Sequence, residues 1–264
     1  MSSPAEPQPS SQPEPRPSPL APEPEPAFGL RLVIFAILGF LVAFGIFGEL
    51  ARAVAQRLPA FSGIPPDDLL MDPRLLLPAQ LAGYLVVLAG LRRWFGRHLG
   101  VGLLRALCWQ WPARWGRFLA GGAALGLAVQ FASHWLPAPP ELPIDKMLRT
   151  TTDAWLMAAF GVFIAPFVEE LMFRGLLFPA LSRRTGAVAA LLLTSIAFGA
   201  LHAAQLGDAW LLVACIVIVG AVLTLVRWSF HSLAASTLVH MGYNGVLFAA
   251  IFAQTRGFTD LSAK

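Results

Sequence analysis

From Leu32 to Gly48 the chain runs seventeen residues without a charge. With its flanks that stretch reaches the ~20 residues an α-helix needs to cross ~30 Å of hydrocarbon. Comparable stretches recur near Leu77–Leu91, Phe118–Trp135, Asp153–Leu181, Gly186–Ala204, Ala209–Val226 and Leu233–Phe252. Within a bilayer every backbone N–H and C=O must be paired inside its own segment, so the expected fold is all-α: a polytopic transmembrane helical bundle with about seven spans. Composition agrees. Hydrophobic residues make up 56% of the 264 and charged residues only 13%, about half the ordinary charged share of about 25%.

Ten of the 22 prolines fall within residues 1–27, mixed with Ser, Glu and Gln. That composition buries little apolar area, so a disordered Pro-rich tail is expected there. The acidic, proline-rich lead before the first apolar stretch does not read as a cleaved signal peptide. The expected organisation is thus a tail at 1–27, a transmembrane helical domain at 28–256 and a short C-terminal tail at 257–264. The segment His98–Trp115 is too polar to span, and its Trp109, Trp111 and Trp115 beside arginines suit the membrane interface. With the N-terminus on the cytoplasmic side, eleven Arg and Lys fall on that side and seven opposite, Arg174 being intramembrane. The positive-inside rule then orients the chain, in the plasma (inner) membrane, with a cytoplasmic N-terminus. Clustered arginines such as Arg92, Arg93 and Arg97 between apolar runs do not form the aromatic-interleaved stripe that nucleic acid requires, so no nucleic-acid partner is expected. Two cysteines, Cys108 and Cys215, make no disulfide framework.

Charges inside an apolar helix carry the most information. The run FGVFIAPFVEELMFRGLL, residues 160–177, places Glu169, Glu170 and Arg174 where lipid should be. Each charge at a bilayer centre costs about 2.5–3.5 kcal/mol on insertion scales, so these groups must face protein or water. Glu170 and Arg174, four apart, share a helix face and can pair; a buried ion pair that fixes packing accounts for them as well as any other role. Glu169 is turned about 100° away and has no local partner. An unpaired carboxylate in an apolar setting can take a proton, as a general base for water must.

Two further polar sites lie downstream, His202 in SIAFGALHAA and His240 with Asn244 in STLVHMGYNG. At 1.5 Å per residue Glu169 lies ~21 Å, His202 ~24 Å and His240 ~16 Å from the helix ends on one side, so three spans bring them to similar depth. His240 and Asn244 are one turn apart and share a face. Zinc ligation by Glu169, His202 and His240 is an alternative use of the same residues. The absence of HExxH and the presence of Asn244, a poor zinc ligand, favour glutamate-activated water without a cofactor. No aspartate pair or GxS turn supports another protease chemistry, and His231 with Ser232 reads as an interfacial pair.

These residues resemble the CPBP (CAAX prenyl protease and bacteriocin-processing) intramembrane proteases, related to the type II CAAX endopeptidases. The family's EExxxR pattern is matched by Glu169, Glu170 and Arg174, its FxxxH by Phe198 and His202, and its HxxxN by His240 and Asn244. The resemblance covers roughly residues 153–253. It implies that Glu169 and His202 activate a water for attack on a peptide carbonyl while His240 and Asn244 stabilise the oxyanion. Glu170 and Arg174 are expected to support them. The expected partners are the lipid bilayer and a peptide or protein substrate, membrane-associated or lipid-modified. Two other classes use similar residues: a proton-coupled carrier, which would show matching broken helices in two halves, and a non-catalytic membrane immunity or interaction protein of the same fold.

Overall fold

The computed structural model describes residues 28–66, 68–137, 142–207 and 209–261; the expected tail at 1–27 and the last three residues lie outside them. Seven long helices account for most of the described chain: α1 (Leu30–Ala55), α2 (Pro73–Leu99), α3 (Trp115–Ser133), α4 (Thr151–Thr185), α5 (Ala187–Leu206), α6 (Trp210–Phe230) and α7 (Leu233–Gln254). Each falls on an expected span. Six are long and apolar enough to cross a membrane; α3 is not among them. Its 19 residues begin beside Arg114 and Arg117 and carry Gln130, which lowers its apolar content. Large apolar side chains face outward, Phe35 at 71% and Phe131 at 73% exposure, as expected where lipid is the solvent.

Local chemistry sets the helix ends. Asp72 caps α2 by accepting the N–H of Arg74 at 2.9 Å, and the Arg74 side chain holds the Asp72 carboxyl below the usual carboxylate range. Thr150 and Asp153 form a reciprocal capping box at the start of α4. Ser232, expected as part of an interfacial pair, is buried: it caps α7 by accepting the N–H of Ala235 at 3.1 Å and donates to the carbonyl of Gln110. With the bond from Leu233 N–H to the Cys108 carbonyl (3.0 Å), this pins the Trp-rich segment after α2 to the end of α7. The segment holds only one helical turn, Leu103–Ala106. Beyond α7 the chain folds back, and Phe258 is buried against Leu148 and Ala154.

α7 is the central helix, with every residue from Leu233 to His240 buried. It shares its most extensive interface with α3, where small residues let the backbones meet. A Cβ on Gly122 would overlap the Val239 carbonyl oxygen, and one on Gly242 would overlap the Leu119 carbonyl oxygen. Both collisions involve backbone, which cannot swing aside. Gly242→Ala is therefore expected to lower the stability of the protein in detergent by about 1–3 kcal/mol. Gly245→Ala on the same helix, where a Cβ meets nothing within 4 Å, is expected to be neutral or mildly stabilising. Thermal unfolding of the two variants side by side checks this, and equal midpoints would contradict it.

α4 is one continuous rod of 35 residues interrupted twice by π-helix, at Phe160–Ile164 and Leu171–Leu177. Each interruption is followed by proline at the second position of the next α-helical piece, Pro166 and Pro179. Such π segments shift the register of the helix by one residue and are common at functional sites. The two here bracket Glu169 and Glu170.

Candidate active site

Glu169, Glu170 and Arg174 come from α4, Phe198 and His202 from α5, and His240 and Asn244 from α7. The fold brings all seven together. Glu169, Phe198, His202, His240 and Asn244 line a cavity of about 230 Å³ whose far wall is supplied by α2. A second, apolar cavity of about 340 Å³ lies between α1, α2, α4 and α5, and Glu169 lines it too. Glu169 thus faces two chambers, one that holds the other polar motif residues and one that is almost wholly apolar.

Glu170 and Arg174 form the expected ion pair, both fully buried, with Arg174 Nη1 2.8 Å from Glu170 Oε1. The pair belongs to a larger network. Arg174 Nη2 donates to the carbonyl of Gly220 (2.8 Å) and Nε to the hydroxyl of Thr224 (3.2 Å), both on α6. Its guanidinium lies 4.4 Å from the Phe198 ring centroid, a cation–π contact. Glu170 also accepts from Ser236 Oγ at 2.6 Å and from His240 Nδ1 at 3.0 Å. One buried pair therefore ties together α4, α6 and α7, with α5 joined through Phe198. Buried charge is tolerable only when satisfied in this way.

Partner chemistry settles the ring tautomers. His202 Nδ1 faces the carbonyl of Phe198 at 2.8 Å, and a carbonyl only accepts, so Nδ1 carries hydrogen. The Nε2 of neutral His202 is then a lone pair, 4.0 Å from Glu169 Oε2. Two acceptors that far apart are too distant for a direct bond and well spaced for a water that donates one O–H to each. His240 Nδ1 meets a carboxylate oxygen that already accepts from Arg174, so it too carries hydrogen. Its Nε2 lies 3.8 Å from Glu169 Oε2 and is a donor whenever the ring is imidazolium.

The first π segment explains Asn244. There the N–H of Ala165 bonds the Phe160 carbonyl, five residues back, and Pro166, the corresponding partner for Gly161, has no N–H. The orphaned Gly161 carbonyl accepts from Asn244 Nδ2 at 2.7 Å. One amide hydrogen of Asn244 orients the group, and the other is left for the cavity.

The donors of the alternative zinc set stand a few tenths of an ångström farther apart than a bound ion holds them. A tetrahedral ion held at ~2.0–2.2 Å by each ligand keeps neighbouring donors about 3.4 Å apart, whereas Glu169 Oε2 stands 3.8 and 4.0 Å from the two imidazole nitrogens. Among the described residues, no group of three or more His, Cys, Asp or Glu is arranged to hold a metal ion.

Three contributors, Ser236, Thr224 and Gly220, lie outside the motifs. Ser236 was legible as the residue four before His240 on the same face of α7. Thr224 and Gly220 repeat that spacing on α6, but nothing in the sequence says that Arg174 reaches them. The role of Phe198 between Arg174 and the rings of His202 (4.7 Å) and His240 (5.6 Å) is also visible only in three dimensions.

Residues 151–256 match the model of a protein family described as Rce1-like, type II CAAX prenyl endopeptidase. No curated protein and no solved structure matches the chain.

Proposed function

We propose that this chain, whose residues 151–256 match the Rce1-like family model, is an integral membrane endopeptidase that hydrolyses a peptide bond with side-chain-activated water. The family description points to a CAAX-type, prenylated peptide or protein as the substrate class. The observation that carries the reading is Glu169 Oε2 placed 3.8 and 4.0 Å from two imidazole nitrogens inside a cavity walled by apolar helices.

Water held between Glu169 and His202 gives a proton to Glu169 as its oxygen adds to the scissile carbonyl carbon. The carbonyl π electrons move to oxygen, where the Nε2–H of the His240 imidazolium, whose Nδ1–H stays on Glu170, and the free amide hydrogen of Asn244 meet the developing charge. Preorganised donors of this kind contribute ~3–4 kcal/mol each in a water-poor site. Collapse of the tetrahedral intermediate breaks the C–N bond, and the departing nitrogen takes the proton held by Glu169. Glu170 sets the orientation of His240, and Arg174 holds Glu170. The distribution of arginine and lysine supports a cytoplasmic N-terminus, and the plasma (inner) membrane is the proposed location.

Incubating the purified protein in detergent with a library of prenylated and unmodified peptides tests the reading. New peptide termini are expected, undiminished by a zinc chelator and without stoichiometric zinc in the preparation. An untouched library would overturn the proposal. Activity lost on chelation and restored by zinc would overturn the metal-free mechanism alone.

A further inference from the structure

α2 lies outside the matched segment, yet it supplies a wall to both cavities at Glu169. Its Gln80 lines the polar cavity with Glu169, His202, His240 and Asn244. Gln80 Nε2 donates to the hydroxyl of Tyr84, one turn further along, at 2.6 Å. Tyr84 is itself held, 7% exposed and stacked between Phe40 (5.1 Å) and Phe160 (6.0 Å). The carboxamide of Gln80 is thus oriented by a rigid brace. Among the described residues its oxygen and its second amide hydrogen have no partner, which leaves one acceptor and one donor side by side.

We propose that Gln80 binds the backbone of the substrate beside the scissile bond, its amide oxygen accepting a peptide N–H and its free amide hydrogen donating to a peptide carbonyl. This rests on the endopeptidase reading and adds a binding residue to it. An extended peptide at membrane depth exposes an N–H and a C=O at each residue, and each is costly unless the protein pairs it. The described residues include no β-strand whose edge could do so, and a side-chain amide is the nearest substitute because it carries the same two groups. A purely packing role fits less well. The only bonded partner of Gln80 among the described residues is on its own helix, so it joins no two elements, unlike Glu170, whose bonds link α4 and α7.

The test uses the full-length protein in detergent with a cleaved peptide and a series of analogues, each N-methylated at one backbone amide near the scissile bond. Wild type is expected to discriminate against one of these analogues by about 5- to 10-fold in kcat/KM, the effect of one lost hydrogen bond. Gln80→Leu is expected to raise KM for the parent peptide about 5- to 10-fold with kcat within about twofold, and to lose discrimination at that same position. Tyr84→Phe keeps the carboxamide and removes its brace, so a smaller KM rise of about two- to threefold is expected with unchanged circular dichroism; it serves as the second variant should Gln80→Leu fail to fold. Fluorescence anisotropy of peptide binding to Glu169→Gln, with and without Gln80→Leu, separates the two readings. A peptide that binds with Gln80-dependent affinity but is never cleaved by wild type overturns the endopeptidase reading alone. Unchanged KM, unchanged Kd and an unchanged N-methyl profile in Gln80→Leu overturn the backbone anchor alone.

Discussion

Glu169→Gln is expected to lower kcat by about 10²–10⁴-fold, the range for loss of a positioned general base, while leaving the fold intact. The substitution preserves shape and removes only the ability to take a proton. Its structural effect is expected to be small because the Glu169 carboxylate stands 3.8 Å from His240 and 4.0 Å from His202, beyond direct hydrogen-bonding distance. Glu169 is also 17% exposed, so the cavity can solvate either side chain. A thermal midpoint within a degree or two of wild type, with KM little changed and kcat lost, is the expected pattern. Wild-type turnover in Glu169→Gln would overturn its role as base.

Arg174→Met is expected to act through the fold, at about 3–5 kcal/mol, the usual cost of leaving one member of a buried ion pair alone. Glu170 would remain fully buried with its carboxylate facing only Ser236 and His240, and the carbonyl of Gly220 would lose a charged donor. Arg174→Lys is expected to recover little, since an ammonium cannot present the planar fork that reaches Glu170, Gly220 and Thr224 together. Adding Glu170→Gln to Arg174→Met removes the stranded charge. The double variant is therefore expected to be more stable than Arg174→Met alone, a coupling that denaturation in detergent measures directly. If Arg174→Met unfolds at the wild-type midpoint, the network is not what holds α4 to α6 and α7.

Much of the site was legible before any coordinates. Three charges in an apolar helix cannot be indifferent to their surroundings, and Glu170 with Arg174 four residues apart on one face led directly to the ion pair that forms. Counting residues from the helix ends placed His202 and His240 at the level of Glu169 because rise per residue in a helix barely varies. Asn244 followed from its spacing to His240. The illegible parts were those set by more than one helix at once. Pro166 and Pro179 are plain in the sequence, yet the π segments before them are not, because proline only removes an N–H and the packed bundle determines how the helix absorbs the loss. That local choice frees the Gly161 carbonyl and so commits one hydrogen of Asn244.

The sequence by itself determined that the chain is a set of apolar helices, that a few polar groups lie within them, and which polar groups share a face. These follow from solvation and helical periodicity, both properties of local sequence. Only the tertiary structure decided that Arg174 ends on α6, that Ser236 and His240 converge on Glu170, and that Gln80 of α2 faces the same cavity as Glu169. The reason is that helix-to-helix approach depends on matched surfaces, such as Gly122 and Gly242 letting α3 and α7 meet backbone to backbone. No spacing along a single helix records that match.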